Sequence, residues 1–440
     1  MENPNYKIFK GPLLNPRSDL ECDFWLDGCL VLIKNQDDDD YSVFYAGPEH
    51  DLDHVFAKDQ TIAVYENSHL IIMPSFFDLH FHWVQDDVRL KPKKELLVWL
   101  KEYTWPDEAK FADEEYSRRK AIEFAQFLVK TGTLAGAVYG SPHAHTVHHA
   151  LDNFIGDFVV GNVLMTMNSP FNLKQSPEQA YIQLKELAEK YKSHYAITPR
   201  IAGVTDPHLM EQGARVAKQT GSFIQTHLSE TKGEIEWILN IYKSIPGFED
   251  VSSYTDIYDR CHILQEKTIL GHCIYLSEPE LKLIKTRRAA IAHCPTSNAP
   301  FTDGGLGSGL FDFRNAEKYN IPWGLGSDIG GGPWLSMFDV IHSFVQQNRQ
   351  HDRREATYIK GLYRATLKSA QILHLDNVSG NLSPGKWANF LMVPLPGNCK
   401  NYESAESVLE NIMMPLANER HKFDNLVNEV FYKGHNVYKK

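Results

Sequence analysis

Between about Ile71 and Leu375, short apolar segments bounded by polar or charged residues alternate with longer amphipathic segments such as Ala180 to Tyr191. This alternation constrains the chain more than any other feature. Repeated strand and helix units bury their apolar faces by building a parallel sheet covered with helices. Leu70 to Met73, Tyr195 to Ile197, Ser222 to Ile224, Thr268 to Leu270, Ala290 to Ile291 and Pro322 to Leu325 read as strands, with polar residues where the strands end. The expected fold class is α/β.

The length of 440 residues accommodates one α/β barrel of about 250 residues and a smaller accessory domain. The first 70 residues read as short strands, among them Cys29 to Ile33, with the acidic stretch Asp37 to Asp40 as a solvated loop. After Gly380 the text NLSPGKWANFLMV and VNEVFYKGHNVY is strand-like again. The two ends are therefore expected to pair as one accessory β domain.

Composition excludes several partners. A formal net charge of −11 with no long run of Lys and Arg disfavours nucleic acid. No apolar run approaches the roughly 20 residues that cross a bilayer, and MENPNYKIFKG lacks the apolar centre of a signal peptide. The expectation is a cytoplasmic protein with no membrane partner. Six cysteines (Cys22, Cys29, Cys261, Cys273, Cys294, Cys399) form no CxxC pair, so neither a disulfide framework nor a cysteine zinc site is expected.

Chemistry resides in grouped histidines. In FFDLHFHWVQ, His80 and His82 alternate along a strand, and a period of two points both imidazoles to one face. A pair of satisfied core histidines is the competing reading. His227 in FIQTHLSE, His272 in TILGHC and Asp328 in WGLGSD stand at three further strand ends. In a parallel barrel all strands point one way, so these five residues meet at the carboxyl face, where barrel active sites lie. Imidazole and carboxylate donors suit one divalent ion, zinc or iron, and an open position lets it activate water. Glu230, three residues after His227, is the expected proton carrier, and Asp328 shares that work. As a competing reading, Glu230 is an acid at a helix N-terminus, stabilised by the dipole.

In this order the motifs resemble the amidohydrolase superfamily and, within it, the guanine deaminases. The likeness covers most of the chain and includes ELLVWLKEYTWPDEAKF, HYAITPRIAG, FIQTHLSETKGEIEWI, LGHCIYLSEPE, AAIAHCPTSNAP, GSGLF, WGLGSDIGGG and NLSPGKWANF. It implies hydrolysis of guanine to xanthine and ammonia, one zinc ion per subunit, and a homodimer. The implied fold is a (β/α)8 TIM-like barrel, residues 71–378, with a small β-sandwich formed by residues 1–70 and 379–440. The family's purine contacts fall on Gln85 and Arg200, with Trp99 lining the pocket. An Arg donor and a Gln amide can read the carbonyl and ring N–H edge of guanine.

Departures from the family pattern fall where substrate choice is decided. Ser75 replaces a glycine, Ile201 stands where the family commonly has Phe, MTMNSP replaces an M-D-R-N-x-P pattern, and TDGG after Phe301 reads as a small insertion. Two other readings therefore stay open: an aminohydrolase acting on another purine or a pterin, and a noncatalytic binding protein on the same barrel.

Overall fold

The computed structural model describes residues 5–54, 61–395, 397 and 402–440; Cys399 and the first four residues of MENPNYKIFKG lie outside them. The chain divides into two compact units, one of Met1–Phe77, Phe127–Leu134 and Ser336–Lys440, the other of Asp78–Gln126 and Ala135–Leu335.

The first unit contains two sheets. Four strands follow the order Tyr41–Pro48, Gly28–Lys34, Tyr6–Lys10, Ile62–Glu66, and six follow His435–Lys439, Glu429–Tyr432, Phe390–Pro394, Leu70–Pro74, Leu13–Pro16, Cys22–Trp25. The pleat decides the faces. Leu30 and Leu32 join Phe9, Ile72, Phe390, Met392 and Phe431 in one buried cluster, while Cys29 and Val31 join Tyr6, Ile8 and Leu52 in another. Phe390 stacks on Phe431 with ring centroids 4.3 Å apart, and each buried Phe is worth about 1.5–3 kcal/mol. The two ends of the chain do form one β-sandwich, because Phe390–Pro394 pairs antiparallel with Leu70–Pro74. This pairing corrects one reading. Leu70 to Met73, expected among the barrel strands, belongs to the six-stranded sheet, since its apolar residues match Phe390–Pro394 across the ladder.

Eight further strands lie in one sheet in chain order: Phe76–His82, Thr133–Gly140, Asp157–Leu164, Ala196–Pro199, Phe223–Leu228, Thr268–His272, Ala290–His293 and Trp323–Leu325. The pairings from Thr133–Gly140 to Trp323–Leu325 are parallel. Helices connect them, as in Pro177–Tyr191, which opens on the Ser176 cap and buries Ala180, Leu184, Leu187 and Ala188 on one stripe. This is the (β/α)8 TIM-like barrel. Beyond the last strand, the Asp328 backbone N–H donates to the His80 carbonyl at 2.7 Å, and the Ser327 N–H donates to Asp78 Oδ1 at 2.9 Å. The approach needs glycine, because a Cβ on Gly326 would stand 2.8 Å from the His80 Cβ.

No helix of the described residues is long and apolar enough to cross a membrane. Cys22, Cys29, Cys261, Cys273 and Cys294 are free thiols.

Candidate metal centre and substrate pocket

His80 and His82 project from Phe76–His82, His227 from Phe223–Leu228 and His272 from the last position of Thr268–His272, while Asp328 lies three residues past Trp323–Leu325. All five are buried. His272 and Asp328 take left-handed backbone, φ 67° and 46°, so the chain turns sharply at both points and aims each side chain inward. Asp328 Oδ1 lies 3.4 Å from His80 Nε2 and 3.6 Å from His82 Nε2, and its Oδ2 lies 4.0 Å from His272 Nε2. The Nε2 atoms of His82 and His227 are 3.1 Å apart. Ligand atoms of His80, His82, His227 and Asp328 all fall within 4.8 Å of one another.

Electrostatics keep these imidazoles neutral. Burial, reinforced by neighbouring histidines, holds His82 and His227 well below the usual imidazole range. His227 Nδ1 sits 2.7 Å from the Arg200 carbonyl, an acceptor only, so the proton is on Nδ1 and the Nε2 lone pair faces the cluster. Both ring nitrogens of His80, Nδ1 of His82 and Nε2 of His272 have no hydrogen-bond partner despite full burial. Orphaned buried nitrogens are costly, and convergent lone pairs beside a carboxylate fit a divalent cation. For Asp328, burial raises the pKa, but the electrostatic pull of the imidazoles beside it, His80 first at 3.4 Å and then His272, outweighs burial and holds the carboxyl at about 2. Cys294 also approaches His80 and His272. Burial pushes its thiol far up, so it remains a protonated neighbour.

Glu230 stands beside the histidines at the mouth of the helix Lys232–Tyr242. That helix is capped by Thr231 and Glu234, with the Glu230 backbone N–H donating to Glu234 Oε2 at 2.9 Å. The cap therefore comes from Thr231, leaving the Glu230 side chain for the pocket. Its Oε2 lies 3.6 Å from His272 Nε2, and its Oε1 accepts from Ser308 Oγ at 2.7 Å. Burial and the Asp328 charge push its pKa up to about 8, against the Ser308 hydrogen bond.

A pocket opens on these groups and is lined also by Gln85, Trp99, Arg200 and Ile201. Leu306, which follows TDGG, reaches the wall as well, whereas MTMNSP contributes nothing to it. Sequence reasoning missed Glu108. Its carboxylate accepts from Gln85 Nε2 at 2.8 Å and from Arg200 Nη1 at 2.6 and 2.8 Å, all in full burial. In TWPDEAKF an acid just after proline reads as an ordinary first-turn residue. Only the partners' positions reveal it. Ser308 and Asn298, whose Nδ2 lies 3.0 Å from His272 Nδ1, carried no separate signal either.

Known proteins resemble the chain along most of its length. It is 31% identical over 373 residues to the guanine deaminase of Escherichia coli (strain K12), covering 82% of each chain. The structure of E. coli guanine deaminase superposes with a TM-score of 0.86 at 27% identity, covering 99% of this chain and 100% of that one. A structure of guanine deaminase from C. acetobutylicum with bound guanine in the active site gives a TM-score of 0.79 at 25% identity, again covering 99% and 100%. The model of the amidohydrolase family matches residues 71–436, from the sandwich strand before His80 to beyond the last helix. With the buried histidine and aspartate cluster inside that match, the chain belongs to the amidohydrolase family.

Proposed function

We propose that this chain hydrolyses the 2-amino group of guanine, giving xanthine and ammonia. One observation carries the reading: Glu230, a fully buried carboxyl with its pKa near 8, shares a pocket with Arg200 and Gln85 while standing 3.6 Å from His272. The likeness to guanine deaminases over four-fifths of both chains supports it.

In this reading His80, His82, His227, His272 and Asp328 hold one divalent ion per subunit, zinc by the donor chemistry, with iron the alternative. When bound, such an ion lowers the pKa of a water ligand towards neutrality. Glu230 does the proton work. With Oε1 held by Ser308, Oε2 is the atom that takes a proton from the attacking water and passes it to the exocyclic nitrogen as the C2–N bond breaks. A pKa close to the working pH suits a group that must both accept and give. Asp328 stays a carboxylate and accepts a hydrogen bond from the same water. Arg200 and Gln85 orient the ring through its carbonyl edge, and Trp99 forms a flat wall.

A noncatalytic scaffold has no use for a raised carboxyl and orphaned imidazoles side by side in full burial. A second aminohydrolase reading draws on Ile201, which lines the cavity where an aromatic residue is common in the family. The smaller contact admits another 2-amino-oxo ring, such as a pterin or an oxidised purine. The resemblance also implies a cytoplasmic homodimer, which we carry as part of this reading.

The test is ammonia release by zinc-loaded protein on guanine, with 8-oxoguanine, isoxanthopterin and adenine alongside. Turnover of guanine in preference to the other three supports the first reading. Turnover of another ring alone transfers the substrate to that compound.

A further inference from the structure

Glu108 lies on Trp105–Glu108, an α-helical turn of a segment that begins at Leu96, widens to a π-helical turn over Leu100–Thr104 and ends in the 3-10 turn Ala109–Ala112. The widening precedes Pro106, which has no N–H to donate back along the helix. Trp99, earlier on this segment, lines the cavity, but Glu108 does not; it stands behind the wall with no exposed surface. A buried carboxylate requires donors, and Glu108 takes three hydrogen bonds: two from Arg200 Nη1 and one from Gln85 Nε2.

Those bonds decide what the pocket can read. An unpaired arginine would select an anion; Arg200, paired, presents the pocket with neutral hydrogen-bond donors. Among the described residues its remaining guanidinium nitrogens make no other hydrogen bond. An ionised carboxylate only accepts, so the Gln85 amide must turn its nitrogen to Glu108. Its oxygen then lies over the Gly330 backbone, where a Cβ would stand 2.4 Å from Oε1. The donors that these two residues can still offer a ligand are the second hydrogen of Gln85 Nε2 and the guanidinium hydrogens that Glu108 does not take.

We propose that Glu108 is a positioning residue that locks Arg200 and Gln85 as paired donors, so that the pocket selects a neutral ring with a carbonyl rather than an amine at that edge. This rests on the reading that the pocket holds the purine. Glu108 touches no substrate; it acts through the two side chains it holds.

The test compares the parent with Glu108→Gln, a change that keeps the size but replaces an acceptor by a donor facing Arg200. Two readouts are taken at equal metal content: the ratio of kcat/KM for guanine to that for 2,6-diaminopurine, which differs by an amine in place of the carbonyl, and the Kd of hypoxanthine, which has the carbonyl edge but no amine to lose. At least a tenfold fall in the ratio and at least a tenfold weaker hypoxanthine Kd are expected. A merely structural role would slow both substrates alike, so a ratio and Kd within threefold of the parent overturn the proposal. A parent that turns over both substrates equally overturns it too. If Glu108→Gln does not fold, Glu108→Asp, which keeps the charge but is one methylene short, is read by the same two measurements and limits. If the parent releases no ammonia from guanine, the proposed function fails, and the hypoxanthine Kd still decides the role of Glu108.

Discussion

Ser308 Oγ donates to Glu230 Oε1 at 2.7 Å, which leaves Glu230 Oε2 turned towards His272 at 3.6 Å. One carboxylate oxygen is thus anchored and the other is free beside the histidine cluster. If that second oxygen moves the proton, Glu230→Gln keeps the shape and loses the chemistry. General acid–base catalysis is worth roughly 10²–10⁴-fold, so kcat should fall by about that factor with metal content unchanged by elemental analysis. Parent-like turnover in the variant would remove Glu230 from the mechanism.

The same hydrogen bond opposes the upward pKa shift caused by burial and by Asp328. Removing it with Ser308→Ala withdraws a donor from the charged form, so the carboxyl rises further. A group that must be ionised to accept a proton then becomes active only at higher pH. The acidic limb of kcat/KM should move up by about one pH unit, the equivalent of roughly 1.4 kcal/mol. An unmoved limb means that Ser308 holds the loop and does not tune the acid.

Arg200 is bound into the wall by Glu108 on one side and by its own carbonyl, which accepts from His227, on the other. Arg200→Ala removes the guanidinium but not the carbonyl, so metal content should hold. Its kcat/KM for guanine should fall by about 100-fold, in line with the loss of a charged hydrogen bond of roughly 1.5–3 kcal/mol and of orientation. Leaving Glu108 buried without its partner should cost about 3–5 kcal/mol of stability. Unchanged kcat/KM with lowered stability would make Arg200 structural.

How much of this was legible depends on what each residue needs around it. The ligand-type residues were readable because each sits at or just past a strand end, and a parallel barrel gathers such ends on one face. His80 and His82 even show their shared face by spacing alone. Strands such as Thr133–Gly140 were harder. Its residues TLAGAVYG are all buried, but glycine and alanine are poor strand formers; packing selects them, since a Cβ on Gly136 would stand 2.1 Å from the Asp78 carbonyl oxygen. Leu70–Pro74 looked like a barrel strand because a fully buried strand reads the same in any sheet. Glu108 was invisible for a different reason. Its role is defined by Gln85 and Arg200, which are distant in sequence, and nothing local distinguishes it from Asp107.

The pH dependence of folding offers a separate check on the electrostatics, through Glu234. Burial and the charge of Glu230 push its pKa up from 4.5 to about 8, while its oxygen caps the helix that follows. A group raised in the folded state stabilises fully below its unfolded value and loses that contribution as pH climbs through the folded one. Stability of metal-free protein should therefore decline from about pH 5 to about pH 8 through this residue, by several kcal/mol at most. The buried histidines act in the opposite sense below the usual imidazole range, since their folded pKa values are lowered. Comparison with Glu234→Gln separates the two effects, because glutamine keeps a cap acceptor and cannot ionise. Thermal melts of the chelated proteins should show the variant gaining on the parent steadily as pH rises over that window. Parallel curves would mean that Glu234 has no raised pKa and that its burial is relieved by water.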